Sequence, residues 1–255
     1  MPGANADAAD AIDLSVCVPV LRAHRPPNLG SLAGELRDAV GALRVELVVV
    51  LNGISRAAAG VPDAGCSVIE HARNRGVPIA WNAAAAAARG RTLAFVNDDV
   101  RLGPGSLEIL HRALADPRAG VVGPVGTRWD IAPPRHREYV DTSDLPAGGT
   151  RACEVVSGFL FATRADTWRM AGGFDEAYSP CGFEEVDFCT AVRLDLGMNC
   201  YAVAGVAHEH EFGVSARRSW RRVRWDGRSE RLGSIAARNR AHFAAKWTEK
   251  AGAAT

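Results

Sequence analysis

Hydrophobic residues in this chain fall into short continuous runs, separated by stretches with helical spacing. Leu14-Ser15-Val16-Cys17-Val18-Pro19-Val20 is the first run, with Pro19 expected at the strand end because proline cannot donate to a central ladder. Leu29, Leu32, Leu36, Ala39, Val40 and Leu43 then recur three and four apart, which predicts a helix over 29–43. Glu46–Leu51 reads as a second buried strand closed by the turn Asn52-Gly53, and Cys66–Ile69 as a third. Strand, helix, strand at this spacing is the signature of a parallel α/β sheet. A helix follows over 77–89, carrying Trp81 and the run Ala83–Ala88, with Gly90 as its cap. Leu93–Val96 is a further buried strand that runs into Asn97-Asp98-Asp99-Val100. Pro104 to Ala115 is predicted helical with proline in the first turn, and Gly120–Pro124 is a short strand.

Between Trp129 and Ala152 the pattern stops. The segment is rich in Pro, Gly and charge and has no period, which predicts a long functional or mobile loop. Cys153–Ala162 resumes as an apolar strand interrupted by Gly158. Arg164 to Met170 is a short helix, and Phe183–Leu196 a helix opened by acids, as suits the positive end of its dipole. Cys200–Val206 is the last strand. From Arg217 the chain is basic, with nine arginines up to Arg240, and it ends in a helix containing Phe243 and Trp247. Residues 1–13 are small and acidic and read as a disordered tail, and 248–255 as a second tail.

At 255 residues the chain is long enough for one large α/β domain. Lys+Arg is 30 and Asp+Glu is 29, so the charge balance gives no argument for a nucleic-acid or membrane partner. The cysteines (Cys17, Cys66, Cys153, Cys181, Cys189, Cys200) form no CxxC pair and read as reduced residues of a cytoplasmic protein. No segment reads as a signal peptide, and no apolar run approaches the ~20 residues of a transmembrane segment.

Chemistry concentrates at four places. Asn97-Asp98-Asp99 lies at a strand end, where open α/β sheets present functional residues. Two adjacent acids there suggest a Mg²⁺ or Mn²⁺ site shared with substrate phosphates; the alternative is an acidic turn capping the next segment. Glu184-Glu185-Val186-Asp187 offers a general base, or only acids answering a helix dipole. His208-Glu209-His210 puts two imidazoles on one strand face, either of which could ligate a metal or be structural. Arg221-Arg222-Val223-Arg224-Trp225 is a diphosphate clamp or a solvated basic face. No GxGxxG follows a strand and no GxxxxGK[ST] occurs, so the dinucleotide and P-loop readings lose their main support. The glycine-rich, Arg-containing loop expected of a sugar nucleotidyltransferase after the first strand is also missing.

In this order the pieces resemble a family-2 glycosyltransferase of the GT-A fold, from Leu14 to Trp247. LSVCVPV and ELVVVLNGIS resemble the family's two opening nucleotide-binding strands, with Leu51 at a usually acidic position. Asn74-Arg75-Gly76 with Asn82 matches its N-x-G…N pattern, and Asn97-Asp98-Asp99 falls where the D-x-D motif belongs. Val156–Leu160, Gly172–Glu176, Glu184–Asp187, His210–Ser215 and Asn239…Phe243…Lys246-Trp247 match later segments. The resemblance implies a central mostly parallel sheet flanked by helices, with a smaller mixed sheet on the acceptor side. It implies a nucleotide-binding half over 14–126, an acceptor and catalytic half over 127–216, and a basic lid and helix over 217–247. It implies donor contacts from Pro19, Val20, Asn52, Asn74, Asn82, Asn97, Asp98, Asp99, Arg218, Arg221 and Arg224. Asp99 would bind Mg²⁺ or Mn²⁺ with His210, His208 being the rival, and Glu185 would be the base. Trp129, Gly158, Phe159, Glu184 and Asp187 would line the acceptor side. The implied reaction is inverting transfer of a sugar from a nucleotide diphosphate sugar to an acceptor hydroxyl on a glycan, lipid-linked sugar, peptide or small molecule. The alternatives are a non-catalytic nucleotide- or sugar-binding module of the same fold and, third, a nucleotidyltransferase.

Overall fold

The computed structural model describes residues 11–21, 29–61, 65–210 and 219–253. In chain order the elements are β1 Leu14–Val20, α1 Leu29–Val40, β2 Val45–Asn52, α2 Arg56–Ala59, β3 Cys66–His71, α3 Val77–Ala87, β4 Thr92–Val96, β5 Arg101–Leu102, α4 Ser106–Ala113 and β6 Ala119–Gly123. There follow β7 Gly126–Asp130, β8 Arg135–Tyr139, β9 Thr150–Cys153, β10 Val155–Val156, β11 Leu160–Arg164, α5 Ala165–Met170, a 3₁₀ turn Glu176–Tyr178 and α6 Glu184–Leu194. The chain closes with β12 Asn199–Val203, β13 His208–Glu209, β14 Arg222–Trp225, β15 Arg228–Arg231 and α7 Leu232–Ala253.

Eight strands form the central sheet in the order β3-β2-β1-β4-β11-β6-β12-β9. The pairs β3/β2, β2/β1, β1/β4 and β6/β12 are parallel, and β11 and β9 run against their neighbours. The sheet is therefore mostly parallel. A smaller sheet, β10-β7-β8, is antiparallel. Pro19 pairs with Val50 of β2, while β4 reaches only as far as Cys17, so the missing N–H costs no bond on the β4 side.

Both faces of the sheet are covered, which is why its strands read as unbroken apolar runs. Side chains alternate between the faces. Val16, Val18, Val49, Ala94 and Val96 join Leu29, Leu32, Leu107 and Leu110 of α1 and α4. Cys17, Val48, Val50 and Phe95 join Trp81, Phe188, Phe243 and Trp247 of α3, α6 and α7. Trp81, Phe95, Phe161 and Phe174 form one aromatic knot, with centroids 4.9–6.0 Å apart. At the amino end of the strands a buried polar group locks β1, β2 and the α3–β4 loop together. Glu46 accepts from Ser15 Oγ (2.6 Å), Arg89 N (2.5 Å) and Arg89 Nε (2.9 Å). Burial opposes its charge, but these donors hold its carboxyl below the usual glutamate value.

Several expectations need correction. Gly90 does not cap α3, whose C-cap is Ala88; Gly90 instead lies where a Cβ would come within 2.6 Å of Ser15 N. The 129–152 stretch is not all loop. It contains β8, which is exposed on both faces and so carries no hydrophobic period. The Cys153–Ala162 run falls on three short strands serving four partners, β12, β7, β4 and β6. The basic region from Arg217 holds the hairpin β14–β15, and α7 continues through residues read as a tail. Ile12 and Asp13 are tied down, their carbonyls accepting from Arg91 N and Thr92 N; residues 1–10 lie outside the described residues.

Candidate functional site

β4 stops at Val96 because the chain turns. Asn97 N donates to the Phe159 carbonyl (2.9 Å) and Val100 N to the Asn97 carbonyl (3.2 Å). β5 then pairs antiparallel with β13, His208 opposite Leu102 and Glu209 opposite Arg101. This short ladder carries the histidines to the acidic turn. His210 Nε2 lies 3.5 Å from Asp99 Oδ1. The His210 ring stacks on Phe159 at 4.5 Å between centroids and 4° between planes. His208 instead shares Nδ1 with the Val206 carbonyl (2.9 Å) and tilts over the same ring. Of the two histidines, His210 is the one placed beside Asp99. The rest of the H-x-x-G-x-S segment, and Arg218, lie outside the described residues.

Phe159 and Asn97 also line a cavity of about 330 Å³. Its wall includes Gly158, Trp81, Glu184, Glu185 and Arg221, so the strand end and the start of α6 share one space. Glu184 is buried, and its Oε2 has no hydrogen-bond partner among the described residues. Burial pushes its carboxyl well above the usual glutamate value, and the charge of Glu185 pushes the same way. Burial also raises Glu185, against the free N–H groups of the first helical turn. Glu185 is half-buried and opens onto the cavity. A Cβ on Gly158 would lie 3.1 Å from Glu185 Cγ, so any larger residue there would press on this side chain.

Phe183, which caps α6, has φ 80°, a strained value for a non-glycine residue. It is held by aromatic contacts with Trp129 (5.8 Å) and Phe243 (5.6 Å). Behind it, Asn239 of α7 points its buried Nδ2 at the carbonyls of Tyr178 (2.8 Å), Cys181 (3.1 Å) and Gly182 (2.8 Å).

Other residues singled out in the sequence hold the site rather than line it. Asn52 is buried, donating to Asn74 Oδ1 (3.1 Å) and the Gly76 carbonyl (3.0 Å) and accepting from Arg75 N (2.8 Å). Asn74 does line the cavity; its Nδ2 donates to the Arg224 carbonyl (2.8 Å), docking the β14–β15 hairpin. Asn82 pairs with the backbone of Phe174 through both amide atoms (2.9 Å each). Asp187 is taken up by Tyr178 (3.0 Å), Lys246 (2.8 Å) and Trp247 (2.6 Å), which ties α6 to α7 and gives it partners other than an acceptor. Pro19 and Val20 are buried in β1, and the next residue, Leu21, reaches the cavity in their place. Trp129 packs on Phe183 away from the cavity lining. Arg224 faces a neighbouring groove with Trp225 and Arg228. Leu51 is fully buried on the α1 face. Trp81 was visible in the sequence as a lone aromatic in an alanine run. What the sequence did not show is that its indole N–H, without an acceptor among the described residues, belongs to a residue of the cavity wall.

Among the described residues no group of three or more His, Cys, Asp and Glu side chains is placed to hold a metal ion. The pair that fits one is Asp99 with His210. One carboxylate and one imidazole suit Mn²⁺ or Mg²⁺ when phosphate oxygens supply the remaining ligands. No helix among the described residues is long and apolar enough to cross a membrane.

Comparison with solved structures gives two close resemblances in shape. GalNAc-T7, solved with UDP, GalNAc and Mn²⁺, superposes with a TM-score of 0.69 at 13% identity over 93% of this chain and 48% of that one. The mannosyltransferase PcManGT from Pyrobaculum calidifontis, in complex with GDP-Man and Mn²⁺, gives 0.56 at 19% identity over 82% of this chain and 60% of that one. At these identities the likeness establishes the GT-A fold, and the chain spans about half the length of the first. Among curated proteins no sequence match is found. A family model described as Glycosyl transferase family 2 matches residues 15–151, more than half of the chain, and the protein belongs to that family.

Proposed function

We propose that this protein transfers a sugar from a nucleotide diphosphate sugar to an acceptor hydroxyl, with inversion and with a divalent cation. The observation that carries the proposal is the shared cavity. Its wall runs from Asn97, the residue that opens the turn carrying Asp99 with His210 beside it, to Glu185. The nucleotide and Mn²⁺ in both structural neighbours support the donor and the metal.

Asp99 and His210 would hold the cation. When bound, it supplies positive charge against the diphosphate as the leaving group forms. The chain's own residues do the rest. Glu185 takes the proton of the acceptor hydroxyl as its oxygen bonds to the anomeric carbon and the bond to the diphosphate breaks. Glu184, the more deeply buried of the two and the more strongly raised, favours its neutral form and leaves Glu185 to ionise. Trp81, Gly158 and Phe159 shape the wall and exclude water. Arg221 is positioned to meet phosphate oxygens. In this scheme 14–126 bind the donor, 127–216 the acceptor, and 217–247 cover the site. The free cysteines among the described residues suit a cytoplasmic setting.

The test is turnover, read as nucleoside diphosphate release from a panel of nucleotide sugars. Glu185→Gln should lose about 10²-fold or more in rate with donor binding intact. Near-normal turnover in that variant would remove Glu185 as the base.

A further inference from the structure

A second cavity, of about 550 Å³, lies at the opposite end of β4. Thr92 lines it, whereas Asn97 lines the candidate active site, so a five-residue strand of about 16 Å separates them. Arg89, Arg91, Arg112, Arg164 and Arg169 line this second cavity, with Asp166 as its one carboxylate. The net charge of the whole chain is only +1, so this is a local concentration and not general basicity.

Three of these arginines are fixed. Arg89 pairs with Glu46 (2.9 Å) and Arg112 with Glu108 (3.4 Å). Arg164 donates to the carbonyls of Leu114 (2.8 Å), Asp116 (3.3 Å) and Pro117 (3.3 Å), which pins its guanidinium under the cavity. Arg91 and Arg169 are exposed at its rim, and neither has an ion-pair partner among the described residues; Arg169 Nε donates to its own helix at the Ala165 carbonyl (3.0 Å). His111 Nδ1 lies 2.9 Å from Thr92 Oγ1. When that nitrogen accepts from the hydroxyl, Nε2 is left as an N–H donor.

Arg164 Nε also lies 3.8 Å from Asp166, so three of the five arginines have a carboxylate partner, and the charge left for an anion to answer is that of Arg91 and Arg169. Their forked donors match the oxygens of phosphate, as they do those of carboxylate, and a multiply charged phosphate brings the larger charge. The lining contains no Phe, Tyr or Trp, so nothing is offered for a nucleobase to stack on. The volume suits a small molecule. We propose that this cavity is a second binding site, outside the catalytic machinery, for a multiply charged phosphate group, held by Arg91 and Arg169 against the fixed arginines. The proposal does not depend on the catalytic reading.

The test is calorimetric titration of the full chain with inorganic pyrophosphate in the presence of a chelator. Wild type, Asp99→Asn and the double variant Arg91→Gln/Arg169→Gln are compared. Wild type and Asp99→Asn should bind alike, with affinity falling as salt rises. The double variant should lose about tenfold or more, while unfolding at the same denaturant concentration as wild type. A second arm measures co-sedimentation with phosphatidylcholine vesicles, with and without phosphatidic acid, whose phosphomonoester headgroup can carry two charges. Retention of wild type but not the double variant on anionic vesicles would assign the phosphate to a lipid headgroup. Pyrophosphate binding without vesicle retention would assign it to a soluble ligand. Equal behaviour of wild type and double variant with both probes, including no binding by either, overturns the proposal.

Discussion

Glu184 and Glu185 stand side by side on the first turn of α6 and face the same cavity, yet they are not equivalent. Glu184 has an unpartnered buried oxygen, and its carboxyl is raised both by burial and by its neighbour's charge. A neutral glutamine therefore resembles its working state. Glu184→Gln should keep turnover within about threefold of wild type, in contrast to the loss at Glu185→Gln. Both carboxyls are raised, so the acid limb of the pH–rate profile should lie above the range of an ordinary glutamate. Activity should appear as pH rises through that limb. A profile with its acid limb at the ordinary glutamate value would show that the base is a solvated group elsewhere. In the sequence these two acids were legible as a pair at a helix start. Their difference was not, because it depends on Gly158 and on a cavity wall assembled from distant segments.

α7 shows what an element contributes without touching substrate. Asn239, Phe243, Lys246 and Trp247 recur at helical spacing, so their shared face was readable in the chain. What that face covers was not readable. Asn239 holds the loop that leads into α6, Lys246 bridges Asp175 and Asp187, and Trp247 donates to Asp187. Asn239→Ala should cost about 2 kcal/mol, since the buried Tyr178 carbonyl and the part-buried carbonyls of Cys181 and Gly182 lose their donor. Chemical denaturation reads the cost, and turnover should fall with it because Phe183 and Glu184 follow that loop directly. Stability within about 0.5 kcal/mol of wild type would mean the loop stands without α7. The asparagines at 52, 74 and 82 teach the same lesson. The family resemblance singled them out, yet all three spend their side chains on backbone groups, and Asn52 and Asn74 also on each other.

At the scale of the molecule, stability and activity should respond to pH in different directions. Asp175 is partly buried, which opposes its charge. Hydrogen bonds from His242, Ala177 N and Lys246 more than compensate and bring its carboxyl down to about 2. A carboxylate depressed in the folded state contributes stability above its unfolded value and loses it as pH falls through the folded one. Asp175 should therefore cost about 2 kcal/mol between about pH 5 and about pH 2, with Glu46 adding to the loss. Glu184 and Glu185 are raised, so the folded chain gains on their protonation and stability should rise from neutral pH toward about pH 5. Denaturant titrations across pH should show a mildly acid maximum, flattened on its acid side in Asp175→Asn. A steady gain in stability from about pH 5 up to neutral would contradict this assignment.

The parallel half of the sheet was legible because its strands are apolar on both faces, whereas β8 and β15 are largely exposed and left no pattern, and the alternation of β14 spans only four residues. The central claim, a metal-dependent nucleotide site at Asp99 and His210, is tested most directly by calorimetry. UDP, GDP, dTDP and CDP are titrated with and without Mn²⁺ into wild type and Asp99→Asn. The account predicts that one nucleotide binds tightly, only with metal and only to wild type. Binding that ignores both the metal and Asp99 would contradict the metal assignment, and no binding by any of the four would make this a chain that keeps the family's fold without its donor site.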